Sequence, residues 1–245
     1  IANYLSQLQQ ISTDNAKMII DTLSSLDIFN ISDPNYSTKI LVDLAYIYYS
    51  LINSLGANSK QFHDTLFFPL LLLNSLPETL SIRKYVEETI ANLAKLCGCN
   101  SVDDLYAIEL SNVLQKFQST YKNWRSNSPD RFAFDIYIKQ AGTALENHWV
   151  DVLMIISQCC ESEKDIEMRM DMILLLDKVI INESLKEQLK VYIEFILKEI
   201  LFPSTAWRVG RPNYKVRKAA MIDLIHLFKQ GLITSEVATQ FFSDF

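Results

Sequence analysis

The sequence predicts an all-α solenoid of about five to six antiparallel helix pairs, and three observations predict it. Chain breakers are scarce, with 5 glycines and 6 prolines in 245 residues, whereas sheet proteins need both at their many turns. Apolar residues recur at helical spacing, and strict apolar–polar alternation is hard to find. A basic residue also returns near the start of alternate helices, at Lys39, Arg83, Arg131, Arg169 and Arg217, with spacings of 44, 48, 38 and 48 residues. Hydrophobic residues at 49% and charged residues at 21% place the chain among globular proteins and far from disordered ones.

Taken in order, the periodic runs predict helices at 2–10, 14–28, 37–55, 59–75, 79–97, 102–125, 129–141, 144–160, 165–181, 185–202, 213–230 and 235–243. The run Leu66–Leu73 is the most apolar. It is shorter than the roughly 20 residues of a membrane span, so it reads as a buried helix, with Pro69 the point at which it would kink. Ser101–Asp104, Thr143–Glu146 and Ser184–Glu187 have the hydroxyl-then-acid spacing of capping boxes. Gly56, Gly98, Gly142 and Gly231 follow periodic runs, where a glycine can take the left-handed cap conformation. In the helix from 165, Ile166, Met170, Ile173, Leu176 and Ile180 form the inward face, and Asp165 with Arg169 makes an i,i+4 pair in the favourable order.

The recurring basic residue carries a shared register. Three positions on stand Val42, Val86, Phe134, Met172 and Ala220; seven on stand Tyr46, Ile90, Ile138, Leu176 and Leu224. Those offsets fall on one helix face. Four positions before it stand Asn35, Thr79, Asn127, Asp165 and Asn213, all residue types that cap helices. The period is that of helical-pair repeats of the HEAT and armadillo kind, whose units bury their apolar faces only by stacking on neighbours. Residues 1–245 therefore read as one continuous helical array and, since the chain opens on Ile1, as a piece of a longer protein. An irregular helical bundle is the alternative.

Chemistry-bearing patterns are sparse. There is no phosphate loop, no dinucleotide fingerprint, no nucleophile elbow and no zinc-protease helix, so catalytic residues are expected to be none and no cofactor or small-molecule substrate is implied. Cys97 with Cys99 and Cys159 with Cys160 lack C-x-x-C spacing and read as free buried thiols of a reducing compartment. His63, His148 and His226 each fall inside a predicted helix. Asp223 and His226 stand at i,i+3, but two ligands fall short of the three or four a metal site needs, and no metal is expected.

Charge distribution is more informative. The net charge is −6 and the pI near 5.1, which gives no overall attraction to nucleic acid or an anionic membrane. From 143 to 202 acids outnumber bases 12 to 6; from 203 to 231 bases outnumber acids 6 to 1. The basic block contains Trp207, Arg208, Arg211, Tyr214, Lys215, Arg217 and Lys218. Cations at a helix start oppose its dipole. Two readings follow: the block pairs with acidic neighbouring repeats, or Trp207, Arg208, Arg211, Tyr214, Lys215 and Lys218 dock an acidic partner with the aromatics as anchors.

Several pieces of the second half also look like one family. Trp124, Ser128-Pro129-Asp130-Arg131, Phe134-Asp135 and Gln140-Ala141-Gly142 come first; Asp165-Ile166-Glu167-Met168-Arg169, Ile200 to Pro203, Trp207, Gly210-Arg211 and Val216-Arg217-Lys218-Ala219-Ala220 follow in order. Together, from about residue 105 to 230, they resemble the carboxy-terminal half of the HEAT-repeat dynein axonemal assembly factor family. Where that family carries Trp-His-Ala-Gly-Arg, this chain reads Trp207-Arg208-Val209-Gly210-Arg211, so no histidine role carries over. The resemblance implies a non-enzymatic scaffold acting in the cytoplasm of ciliated cells, before transport to the cilium, in the assembly of axonemal dynein arms. It implies dynein intermediate or heavy chains and the cytosolic chaperone machinery as partners. A HEAT scaffold of transport or microtubule-associated complexes is the alternative.

Overall fold

A computed structural model describes residues 11–26, 28–30 and 36–242. The predicted helix 2–10 and the cap at Asn35 lie outside them. Among the described residues every regular element is helical and no strand occurs, as the scarcity of breakers requires. The chain divides into two compact units, Ile1–Gln115 with Ser128–Ala141, and Lys116–Asn127 with Gly142–Phe245.

The first unit contains α1 (Thr13–Ser25), α2 (Thr38–Leu55), α3 (His63–Ser75), α4 (Arg83–Leu96), α5 (Val102–Ile108), the first part of α6 (Leu110–Thr120) and α7 (Pro129–Ala141). Helix α3 is its centre and packs against α2, α4 and α7. Leu66, Phe67, Leu70, Leu71 and Leu73 are all fully buried, because a helix apolar on every side must be surrounded. The helix continues through Pro69. With α2 and the intervening 3-10 turn, Thr38–Ser75 is long and apolar enough to cross a membrane by length and composition alone; here its apolar side chains form the core. Phe67 meets Tyr106 edge-on at 5.0 Å, Tyr106 stacks on Tyr137 at 5.3 Å, and the Tyr137 hydroxyl donates to the Tyr106 carbonyl.

The second unit holds α8 (Trp149–Cys159), α9 (Ile166–Ile180), α10 (Lys186–Lys190), α11 (Ile193–Phe195), α12 (Phe202–Thr205), α13 (Arg211–Lys229) and α14 (Ser235–Phe242). Its most extensive helix contact is α9 on α13. Met172, Ile173, Leu176 and Ile180 of α9 and Val216, Ala220, Leu224 and Leu227 of α13 are buried. Trp149, also fully buried, satisfies its indole by donating to Gln188 Oε1 at 2.8 Å.

Several expected boundaries move. Ser101 and Asp104 form a complete capping box at α5. Thr143–Glu146 does not: Gly142–Asn147 is a 3-10 helix, Leu145 is drawn into the core, and α8 starts only at Trp149. Ser184–Glu187 does not either, because Asn182 accepts from the Ser184 amide and a separate 3-10 turn forms there. The helix expected over 185–202 breaks into α10, α11, a π-helical turn Ile196–Leu201 and α12. Pro203 follows that turn; lacking an N–H, it cannot donate back to Glu199 in an α-helical ladder. Gly56, Gly98, Gly142 and Gly231 all take positive φ where helices end.

The repeated cap is also narrower than expected. Asp165 caps α9 by accepting from the Met168 amide at 2.8 Å. Thr79 instead donates its hydroxyl to Leu76 and Leu73 carbonyls from within a 3-10 helix, and Asn213 lies inside α13. In α2 the register is displaced by one residue. Lys39 and Tyr46 are exposed, while Leu41, Leu44, Ala45 and Tyr48 are buried, which counts from Thr38 rather than Lys39.

Two outcomes follow from the first core. Phe67→Ala should destabilise the protein by about 3–5 kcal/mol, since an aromatic cavity cannot collapse among packed neighbours. Tyr137→Phe, which removes only the bond to the Tyr106 carbonyl, should cost about 1–3 kcal/mol. Urea unfolding of the two variants measures both.

Candidate docking surface and buried acid–histidine cluster

The basic block becomes a loop, 206–210, that feeds the start of α13. Gly210 has φ 109° and ψ 146°, a conformation essentially confined to glycine. Arg211 and Pro212 then open the helix, and the Tyr214 amide donates to the Gly210 carbonyl. Asn213 ties loop to helix: its Nδ2 donates to the Val209 carbonyl at 2.8 Å. The result presents Trp207 at 73% exposure, Val209 at 77% and Tyr214 at 56%, with Arg208, Arg211, Lys215 and Lys218 exposed beside them. Among the described residues no carboxylate lies within ion-pair distance of those four cations.

Arg169 underlies the loop and is only 4% exposed. Its Nε donates to the Cys160 carbonyl at 3.2 Å and its Nη1 to Asn213 Oδ1 at 3.5 Å. The expected pair with Asp165 is thus replaced, since Asp165 caps the helix while Arg169 turns inward. Burial first, and then the neighbouring Arg208, push the Arg169 guanidinium below its ordinary range. Both arginines line a cleft of about 310 Å³ with Cys160, Glu161, Glu163 and Glu199.

The other register residues do not converge on this loop. Lys39 is exposed; Arg83 is half-buried and donates to the Leu76 carbonyl at 3.4 Å; buried Arg131 places its guanidinium 3.9 Å from the Phe132 ring centre. Arg217 is half-buried on α13. Of the five, Arg169 reaches the base of the loop, through Asn213.

Two histidine pairs were not legible in the sequence. His63 at the start of α3 pairs with the fully buried Glu109, which also accepts from Asn112. His226 Nδ1 lies 2.7 Å from Asp177 Oδ1. Asp177 thereby joins Asp223 and His226, and one ligand atom from each lies within 4.8 Å of the others. Asp223 is 1% exposed and its Oδ2 has no hydrogen-bond partner. Burial, and then Asp177 beside it, push the Asp223 carboxyl up to about 9. The expected two-ligand pair is a three-residue cluster because α9 packs across α13, a contact that the i,i+3 spacing within α13 does not encode.

The four cysteines are free thiols, with Cys159 and Cys160 buried and Cys97 and Cys99 half-buried. Burial raises all four, Cys97 and Cys159 to about 11. They are therefore protonated and weakly nucleophilic at neutral pH. Iodoacetamide at pH 7.5 should leave Cys159 and Cys160 unmodified in the folded protein and modify them after unfolding, as peptide mass mapping would register. Arg169→Met should destabilise by about 2–3 kcal/mol, because it strips the Cys160 carbonyl and Asn213 of a charged donor. Arg211→Met, at an exposed position, should stay within about 0.5 kcal/mol. Denaturant midpoints distinguish the two.

The chain matches no family model and no solved structure. It is 26% identical over 185 residues to dynein axonemal assembly factor 5 of Homo sapiens, covering 74% of this chain and 21% of that protein. The same protein of Xenopus laevis is 22% identical over 175 residues, covering 70% and 21%, and that of Mus musculus 21% identical over 171 residues, covering 68% and 20%. The chain thus spans about a fifth of the length of the curated relatives it matches. The resemblance carried by Trp124, Asp165–Arg169, Trp207 and Val216–Ala220 is borne out: over about 70% of its length this chain is similar to the dynein axonemal assembly factors.

Proposed function

We propose that the chain is a non-enzymatic, protein-binding part of a factor for the assembly of axonemal dynein arms, acting in the cytoplasm of ciliated cells. The name of the relatives supports a role in dynein assembly. The observation that carries the binding role is the loop 206–210 with the first turns of α13, where Trp207, Val209 and Tyr214 stand exposed among four cations that pair with no carboxylate among the described residues. Exposed aromatic and basic side chains in one patch have the composition of an interface core with a charged rim. In a chain of net charge −6, such a patch selects acidic segments by contrast with its own surroundings. We assign it to an acidic segment of a dynein intermediate or heavy chain, with cytosolic chaperones engaged elsewhere on the full-length factor.

Charge reversal at Arg208, Arg211 and Lys215 together should weaken binding of a dynein intermediate-chain fragment by roughly tenfold or more, about 1.4 kcal/mol. Folding stability should change by no more than about 0.5 kcal/mol per substitution. Trp207→Ala should cost about 1–2 kcal/mol of affinity. Calorimetric titration with intermediate-chain and heavy-chain fragments measures each, and unchanged affinity for both fragments would remove the patch from the reading. In the cell, loss of the protein should deplete dynein arms and leave the microtubule doublets in place; normal arms would refute the assembly role.

A further inference from the structure

We propose that Asp177, Asp223 and His226 form a binding site for one divalent transition-metal ion of the zinc class, bridging α9 and α13. The spacing of Asp223 and His226 puts them on one face of α13, and the packing of α9 brings Asp177 opposite them. The three ligand atoms lie within 4.8 Å of one another. Ligands held about 2 Å from a tetrahedral ion stand roughly 3.3 Å apart, so on loading the His226–Asp177 pair, at 2.7 Å, would open slightly and the widest spacing, no more than 4.8 Å, would close. Asp177 and His226, with side chains 25% and 30% exposed, have the freedom to make both adjustments.

A second observation points to a cation. Asp223 is almost completely buried, yet among the described residues its Oδ2 has no hydrogen-bond partner, an arrangement that native proteins rarely leave unanswered. Two carboxyls side by side cannot both ionise without a counter-charge. A doubly charged ion balances two carboxylates and a neutral imidazole, displacing the carboxyl proton and any proton on His226 Nδ1 to solvent.

The donor set selects the metal. One imidazole nitrogen with two carboxylate oxygens suits zinc and its neighbours, whereas calcium and magnesium prefer oxygen alone. Three protein ligands leave a fourth position for water. Helix α13 begins at Arg211, so the ion would also fasten to α9 the helix that carries the basic loop.

The test uses the chain stripped with a chelator and then titrated with Zn²⁺ and Co²⁺. Calorimetry should show one ion per chain with proton release, and thermal unfolding should shift upward. Cobalt should give visible d–d bands without a thiolate charge-transfer band, which separates this site from the four cysteines. His226→Gln and Asp223→Asn should each weaken binding by roughly tenfold to a hundredfold, and Asp177→Asn carries the same test should Asp223→Asn fail to fold. Cys97→Ser with Cys99→Ser should leave binding unchanged. Absence of saturable binding at micromolar ion would overturn the proposal. So would a thiolate band, or affinity indifferent to all three ligand substitutions, which would leave the carboxyls merely sharing a proton.

Discussion

The second unit depends on the burial of one guanidinium. Arg169 has only 4% of its surface exposed and must find acceptors within the protein. It finds them at the Cys160 carbonyl, where α8 ends, and at Asn213, in the first turn of α13. Three elements are thereby registered against one another by hydrogen bonds that a cavity or a slipped helix would break. Asn213 passes the constraint on, since its other end holds the Val209 carbonyl of the exposed loop. The exposed aromatic and basic patch is thus anchored from beneath by a side chain that is itself buried.

The first unit rests on a different solution. The middle of its central helix is apolar, and packing against α2, α4 and α7 is achieved by Leu66, Phe67, Leu70, Leu71 and Leu73 filling space. Polar groups enter at its margin, where Glu109 is buried against His63 and Asn112. A carboxylate there is tolerable because two donors reach it. Each unit therefore sets a buried charged side chain, Glu109 in one and Arg169 in the other, against a partner more than 40 residues away in the sequence.

That distance explains what could be read in advance. The Ser101–Asp104 box and the Asp165 cap were legible because each is closed within three residues. Thr143 and Ser184 carry the same local pattern, but the inward pull of Leu145 and the competing cap of Asn182 decide their backbones. Periodicity placed Ile173, Leu176 and Ile180 of α9 inward, but Ile166 and Met170 are only half-buried, with Met168 and Met172 buried instead; the inward turn of Arg169 was not legible, because a basic residue beside an acid four positions earlier reads as a surface pair. Asp177 is the clearest omission. Nothing in its neighbourhood on α9 sets it apart, and its importance arises only when Asp223 and His226 of α13 come to face it.

Handedness is the less obvious determinant of the loop. At φ 109° and ψ 146° Gly210 sits in a positive-φ region that side chains avoid, and space is not what reserves the position for it: a Cβ built there would approach only Pro212 at 3.8 Å and Asn213 at 4.0 Å. The exclusion is torsional, of order 1–3 kcal/mol for an ordinary side chain. Between Val209 and Arg211, the one achiral residue lets the backbone turn at positive φ where the exposed loop passes into α13. The exposed loop of this unit is therefore joined to its helix by a residue that contributes no chemistry of its own.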